Sequence, residues 1–211
     1  MIVATAGHID HGKTAHAIEP ELDSGELPKG GGPFQVPFEV FIPEKIDGFV
    51  PAEKNISQSR IANGATRLQP ITMLTGQAAG TIAALAVKQG VQPRALKPIQ
   101  VQLALLESGC TLIQRWYADV PWGTELWRAT QLLSLYQILD RPGGIDHENT
   151  VPLASRAKWG VELEISAEEQ AAALQRLKTL TGSQPALSPE TRCAGDFAVL
   201  LAKHLVSSSN P

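Results

Sequence analysis

The stretch Phe49–Gly90 constrains this chain more than any other. A short apolar segment passes through a polar loop carrying Asn63-Gly64. Arg67 and Pro70 then lead into a helix rich in small residues. Proline suits the first helical turn, where a missing N–H costs nothing, and Gly90 is placed to stop the helix. Gly76 and Gly80 stand one turn apart inside it, with Ala79, Ala83 and Ala84 close by. A glycine in a helix interior costs about 1 kcal/mol relative to alanine, so two of them need a reason. Close approach of the helix to a sheet or to a flat ligand is the usual one. The spacing predicts a helix over about Pro70–Gln89, packed through Gly76, Ala79, Gly80 and Ala83. A strand, a polar loop and such a helix also offer a helix N-terminus to an anion or cofactor. On physical grounds alone, that reading and ligand-free packing on a sheet stand level.

Upstream, Phe34, Val36, Phe38, Val40 and Ile42 alternate, which predicts a half-buried strand over Phe34–Ile42. Pro37 restricts that strand to an edge or a bulge. Downstream, Val91–Leu96 reads as a linker and Pro98–Ser108 as a second helix with Gly109 as its stop. Together these elements predict the tail of an α/β domain.

The order of residues in this region resembles a known family. Arg67-Leu68-Gln69-Pro70, then Met73, then Gly76-Gln77-Ala78-Ala79-Gly80 is similar to the C-terminal signature of a bacterial family of FAD-dependent oxidoreductases. Some members carry the loose label xanthan lyase. Pro33–Val50 resembles the segment leading into that signature, and the match covers about Gly32–Gln92. Glu53-Lys54 departs from the Gly-Arg of many relatives. The resemblance implies a segment that closes an FAD-binding domain, with its loop and helix start facing the flavin. By that resemblance Asn63, Gly64, Arg67, Pro70, Gly76 and Gln77 line the cofactor. The family's G-x-G-x-x-G fingerprint, which grips the ADP half of FAD, has no copy in this sequence, and Gly30–Gly32 is not one.

The N-terminus carries a different signature. Gly7-His8-Ile9-Asp10-His11-Gly12-Lys13-Thr14 satisfies the phosphate-binding loop pattern. In such a loop backbone N–H groups cradle phosphates, Lys13 reaches the β/γ-phosphates and Thr14 ligates Mg²⁺. The opening resembles the start of the selenocysteine-specific translation elongation factor, which implies GTP and Mg²⁺ at Gly7, Asp10, Gly12, Lys13 and Thr14. That resemblance ends near Ala15. Pro20 follows Thr14 by six residues where a helix should run, and no N-K-x-D base reader follows. The economical reading is a junction between about fifteen residues of one gene and the C-terminal part of another. His8, His11 and His16 have no carboxylate or cysteine at a spacing that completes a metal site.

Past Gly109 the composition changes. Trp116, Trp122 and Trp127 cluster, and Trp159 stands apart. Thr124 is placed to cap a helix with Leu126, Ala129, Leu133 and Tyr136 on one face. Val161–Glu164 reads as a short strand. Ser166 and Glu169 form a capping box opening a helix with Leu174, Leu177 and Leu180 inward and Gly182 as its stop. Ser188-Pro189 opens a last helix bearing Phe197, Leu200, Leu201 and Leu205, and Ser207–Pro211 reads as a frayed tail. Tyr117-Ala118-Asp119-Val120, Trp127 and Thr191-Arg192 loosely resemble S-layer homology modules, although Cys193–Asp196 interrupts the closing motif. The alternative is a small helical domain packed on the flavoprotein body.

The expected architecture is therefore α/β. A phosphate-loop-like segment spans 1–15, the C-terminal part of an FAD-binding domain 16–109, and a small, mostly helical domain 110–211. At 211 residues, 43% hydrophobic and 18% charged, the chain has ordinary globular composition. Its net charge of -3 points to neither nucleic acid nor an anionic membrane. No apolar run is read as reaching the roughly 18 residues of a membrane span. With no signal peptide at this N-terminus, the default location is cytoplasmic. Cys110 and Cys193 fit no metal spacing or C-x-x-C motif and read as separate thiols, a disulfide being the alternative. Three functions from different classes follow: a fragment of an FAD-dependent oxidoreductase acting on a small molecule, a GTP-binding translation factor, and a non-catalytic helical binding module. The first has motifs in order over some sixty residues, the widest coverage of the three. No nucleophile–base pair marks a catalytic residue.

Overall fold

A computed structural model describes residues 35–113, 117–139, 141, 158–187, 191 and 193–209. The chain divides into two compact units, Met1–Leu112 and Ile113–Pro211.

In the first unit, α1 (Arg60–Thr66), α2 (Gln69–Gln89) and α3 (Pro98–Glu107) follow single 3₁₀ turns at Phe38–Phe41 and Glu53–Asn55. A third such turn, Pro93–Ala95, lies between α2 and α3. The helix α2 begins and ends where local chemistry dictates. Leu68 is extended at its N-cap, Pro70 sits in the first turn, and Gly90 caps it in the left-handed region at φ 66°. The Val91 N–H reaches back to the Ala86 carbonyl at 3.0 Å, satisfying one of the last orphan acceptors. Ile71, Thr75, Ala78, Ile82 and Ala86 lie along its buried stripe, and α3, whose buried residues include Ile99, Leu105 and Leu106, packs against α2.

The strand expected over Phe34–Ile42 is not there. Phe34 lies outside the described residues, and Phe38–Phe41 is a 3₁₀ turn. Val36, Phe38 and Phe41 are buried, so the core spacing changes from two residues to three. Alternation alone does not make a strand; a strand needs a partner for its N–H and C=O groups, and Pro37 removes a donor here. The loop expected at Asn63-Gly64 is also corrected. Ser59 caps α1 by accepting from the Ala62 N–H at 3.2 Å, and the helix runs through both residues.

Among the described residues no strand is present, so they are helical and the expected α/β class is not seen in them. The α2 helix also corrects the reading of apolar runs. It has 21 residues, and Leu68–Val87 carries no charged side chain. By length and composition it can cross a membrane, a property shared by core helices of folded domains.

The second unit holds α4 (Glu125–Leu135), α5 (Ala167–Thr181) and α6 (Ala194–Ser209), with α6 packed on both others. Thr124 caps α4, accepting from the Trp127 N–H at 3.1 Å. Every residue from Ala129 to Leu135 is buried, so α4 is a central helix rather than one with a single inward face. Ser166 caps α5 through the Glu169 N–H at 3.1 Å, and Gly182 ends it at φ 79°. Of the residues expected inward on α5, Leu177 is buried, Leu174 is half-buried and Leu180 is 53% exposed. Ser188-Pro189 lies outside the described residues, and α6 begins at Ala194 and continues to Ser209 through part of the expected tail. Phe197, Leu201 and Leu205 are buried along it, while Leu200 is half-buried. The strand expected at Val161–Glu164 reduces to one isolated antiparallel bridge, Glu164 with Cys193. There the backbone comes so close that a Cβ on Gly195 would lie 3.1 Å from the Val161 carbonyl oxygen.

Candidate functional site

The junction between α1 and α2 holds Asn63, Gly64, Arg67 and Pro70, four of the six residues singled out from the sequence. Thr66 donates its hydroxyl to the Ala62 carbonyl at 3.0 Å and also bonds the Gln58 side-chain oxygen. The Gln58 amide reaches the Asn63 Oδ1 at 3.5 Å and the Lys54 carbonyl at 3.4 Å. This ties the Glu53–Asn55 turn to the first helix. The Arg67 N–H closes α1 on the Asn63 carbonyl at 3.1 Å. One residue later, Leu68 accepts from the Ile71 and Thr72 N–H groups at 3.0 and 2.9 Å to open α2. Asn63 is thereby half-buried and held, whereas Gly64, Arg67 and Pro70 are exposed around the helix start.

Charge at this end has one sign. The first turn of α2 carries no acidic residue, so the positive end of the helix dipole is uncompensated within it. Arg67, the C-cap of α1 and two residues before α2 begins, is exposed, and its guanidinium makes no hydrogen bond or ion pair to any described residue. An anionic or electron-rich group is favoured at such a place.

Gly76 and Gln77 lie about 9 Å further along the axis, at 1.5 Å per residue from Pro70. Pro70, Met73, Gln77, Gly80, Ala84 and Val87 succeed one another at steps of three and four and are all exposed. This is the helix face opposite the buried stripe. Met73 is 72% and Val87 84% exposed. The expectation that Gly76, Gly80 and Ala83 pack inward is overturned. Gly80 and Ala83 are exposed, and a Cβ added at Gly76 or Gly80 meets nothing within 4 Å; only Ala79 of that set is buried. Gly80 therefore keeps the outer face flat, and the half-buried Gly76 leaves open space at its edge, rather than either admitting a neighbouring element of the unit. The same open space exists at Gly64. Gly7, Asp10, Gly12, Lys13 and Thr14 lie outside the described residues. Among the described residues no group of three His, Cys, Asp or Glu side chains is placed to hold a metal.

A polar cluster in the second unit was not assembled from the sequence. The Asp119 carboxylate accepts from the backbone N–H groups of Trp159, Gly160 and Val161 at 2.7, 2.7 and 3.2 Å. Burial pushes its pKa up, but these N–H donors outweigh burial and hold it below the ordinary aspartate value. Arg141 lies over the Trp159 ring, 4.8 Å from the centroid, and forks onto Glu169 at 2.8 and 2.9 Å. Its Nη1 donates to the Trp159 and Gly160 carbonyls, both at 3.1 Å. Glu169 thus serves Arg141, which is why only the serine half of the expected capping box forms. The Asp119-Val120 pair and the lone Trp159 were the available signals, but nothing local links positions forty residues apart. Cys110 and Cys193 are both free thiols, and burial raises the pKa of Cys110.

Residues 1–105 match the model of the FAD dependent oxidoreductase family. No curated protein and no solved structure matches the chain.

Proposed function

We propose that Phe49–Gly90 supplies the closing wall of an FAD site, and that this chain works as the C-terminal part of an FAD-dependent oxidoreductase. The observation that carries the reading is the family match over residues 1–105, which includes α1, α2 and the junction between them. The residues present fit the group. Gly64, Gly76 and Gly80 leave open the space that side chains would fill, as a flat ring system lying on a helix requires. Arg67 and the start of α2 supply uncompensated positive potential at one end of that face.

Bound flavin would supply the electron chemistry itself, accepting from or donating to a small-molecule substrate. The chain's own residues bind and orient. Asn63, fixed by Gln58, anchors the turn. Arg67 and the first turn of α2 attract the electron-rich part of the cofactor. Gly76 and Gln77 border it further along the exposed stripe, and Met73 helps exclude water. The grip on the ADP half comes from a separate G-x-G-x-x-G segment, since this sequence holds no copy. The loose name xanthan lyase adds no chemistry to this reading.

The test is fragment complementation. The ADP-gripping half of a related oxidoreductase, produced as a separate chain, is mixed with this chain and FAD, and retained flavin is measured after gel filtration. Arg67→Ala should weaken retention while Arg128→Ala, the same charge change in the other unit, leaves it unchanged. Equal effects of the two substitutions contradict the site assignment.

A further inference from the structure

We propose that the depression between the end of α4 and the last two turns of α5 is a binding site for a small carboxylate with an apolar body. It is lined by Tyr136, Gln137, Arg176, Thr179 and Leu180 and has a volume of about 580 Å³, within the range of small-molecule sites.

The way α4 ends builds this site. Gln137 takes φ 55°, a left-handed conformation usually left to glycine. That conformation lets the Gln137 and Ile138 N–H groups turn back onto the Ser134 and Leu133 carbonyls at 3.1 and 2.8 Å. The Gln137 and Ile138 carbonyls then face α5 and accept from Arg176 Nη1 at 3.3 and 3.5 Å. These long contacts fix one corner of the guanidinium. The Nε–Nη2 edge makes no hydrogen bond or ion pair to any described residue.

The helical neighbours of Arg176 in α5 supply no counter-charge. Positions three and four before Arg176 are Ala173 and Ala172, and those after it are Thr179 and Leu180. No carboxylate stands where a helical ion pair would form. Glu169, one turn further back, is committed to Arg141. A guanidinium with a free two-donor edge matches a carboxylate in geometry as well as charge. The apolar contribution comes from the half-buried Tyr136 ring and from Leu180, which is 53% exposed. The exposed Gln137 side chain adds amide groups at the rim. The site lies wholly in the second unit, so it stands or falls independently of the flavin reading.

The experiment titrates the full chain with benzoate and, separately, with the uncharged isostere benzamide, following backbone amide resonances. The expected result is saturable shifts at Gln137 and Thr179 with benzoate at millimolar concentration and none with benzamide. Arg176→Gln should weaken benzoate binding by about tenfold or more, with unchanged circular dichroism, and Arg128→Gln should not. Leu180→Glu, at an exposed position, provides a second variant and should also abolish binding. Absence of saturation with benzoate, equal binding of benzamide, or unaltered binding in Arg176→Gln and Leu180→Glu would overturn the proposal.

Discussion

Asp119 and Trp159 are joined across forty residues by a 2.7 Å hydrogen bond from the Trp159 backbone N–H to the Asp119 carboxylate. Gly160 and Val161 add two more donors to the same carboxylate. Arg141 lies over the Trp159 ring, 4.8 Å from its centroid. The segment entering α4 and the segment entering α5 are therefore held by one acceptor.

That arrangement predicts a pH-dependent contribution to stability. The Asp119 pKa is lowered on folding, so its contribution is complete above the ordinary carboxylate pKa and fades as pH falls through the lowered folded value. Asp119→Asn replaces one acceptor oxygen with a donor that opposes the backbone N–H groups. It should cost on the order of 1 kcal/mol near neutral pH, solvent screening included. Thermal unfolding of both proteins checks this: their melting temperatures should differ near neutral pH, and the gap should close as pH falls from about 4 through the lowered folded pKa. A constant gap across that range would show that the carboxylate charge is not what holds the joint.

The half-buried Gly76 and the exposed Gly80 of α2 make a prediction of opposite sign from ordinary core packing. Gly76→Ala and Gly80→Ala should each stabilise the chain by up to about 1 kcal/mol, because alanine is the better helix former and its Cβ meets nothing. In the complemented flavoprotein the same substitutions should weaken flavin retention. A loss of thermal stability in either variant of the chain alone would show that the glycine face is covered within the chain.

The phosphate-loop pattern Gly7–Thr14 makes a third. Without an N-K-x-D base reader in the sequence, and with Pro20 interrupting the helix that should follow the loop, GTP should bind weakly or not at all. Calorimetric titration with GTP and Mg²⁺ measures this directly. A micromolar affinity abolished by Lys13→Ala would establish the GTP-binding reading instead.

Element ends were legible wherever one residue's chemistry decides them. Pro70 and Gly90 bracket α2, Thr124 and Ser166 cap α4 and α5, and Gly182 stops α5. These are contacts within four residues, which a sequence displays. The segment around Phe38 shows the limit. Its alternation is that of a strand, but a ladder needs a second chain segment, and that is a tertiary fact. Asn63-Gly64 reads as a loop until Ser59 is seen to cap a helix through it. Of the candidate site, the clustering at the α1–α2 junction was legible because its residues are near neighbours in sequence. Which way the glycines face was not, since the 3.6-residue period places Gly76 and Gly80 together without saying which side is buried. Arg141 and Glu169 were illegible for the same reason as Asp119 and Trp159: each finds its partner far along the chain.

The most direct test of the flavin account is the visible absorbance of the purified chain after incubation with excess FAD and gel filtration, with and without a separate ADP-gripping half. The chain alone should be colourless and the complex yellow when both parts are present, because the pyrophosphate grip contributes several charge-assisted hydrogen bonds that Phe49–Gly90 does not replace. Stoichiometric flavin on the chain alone would contradict it.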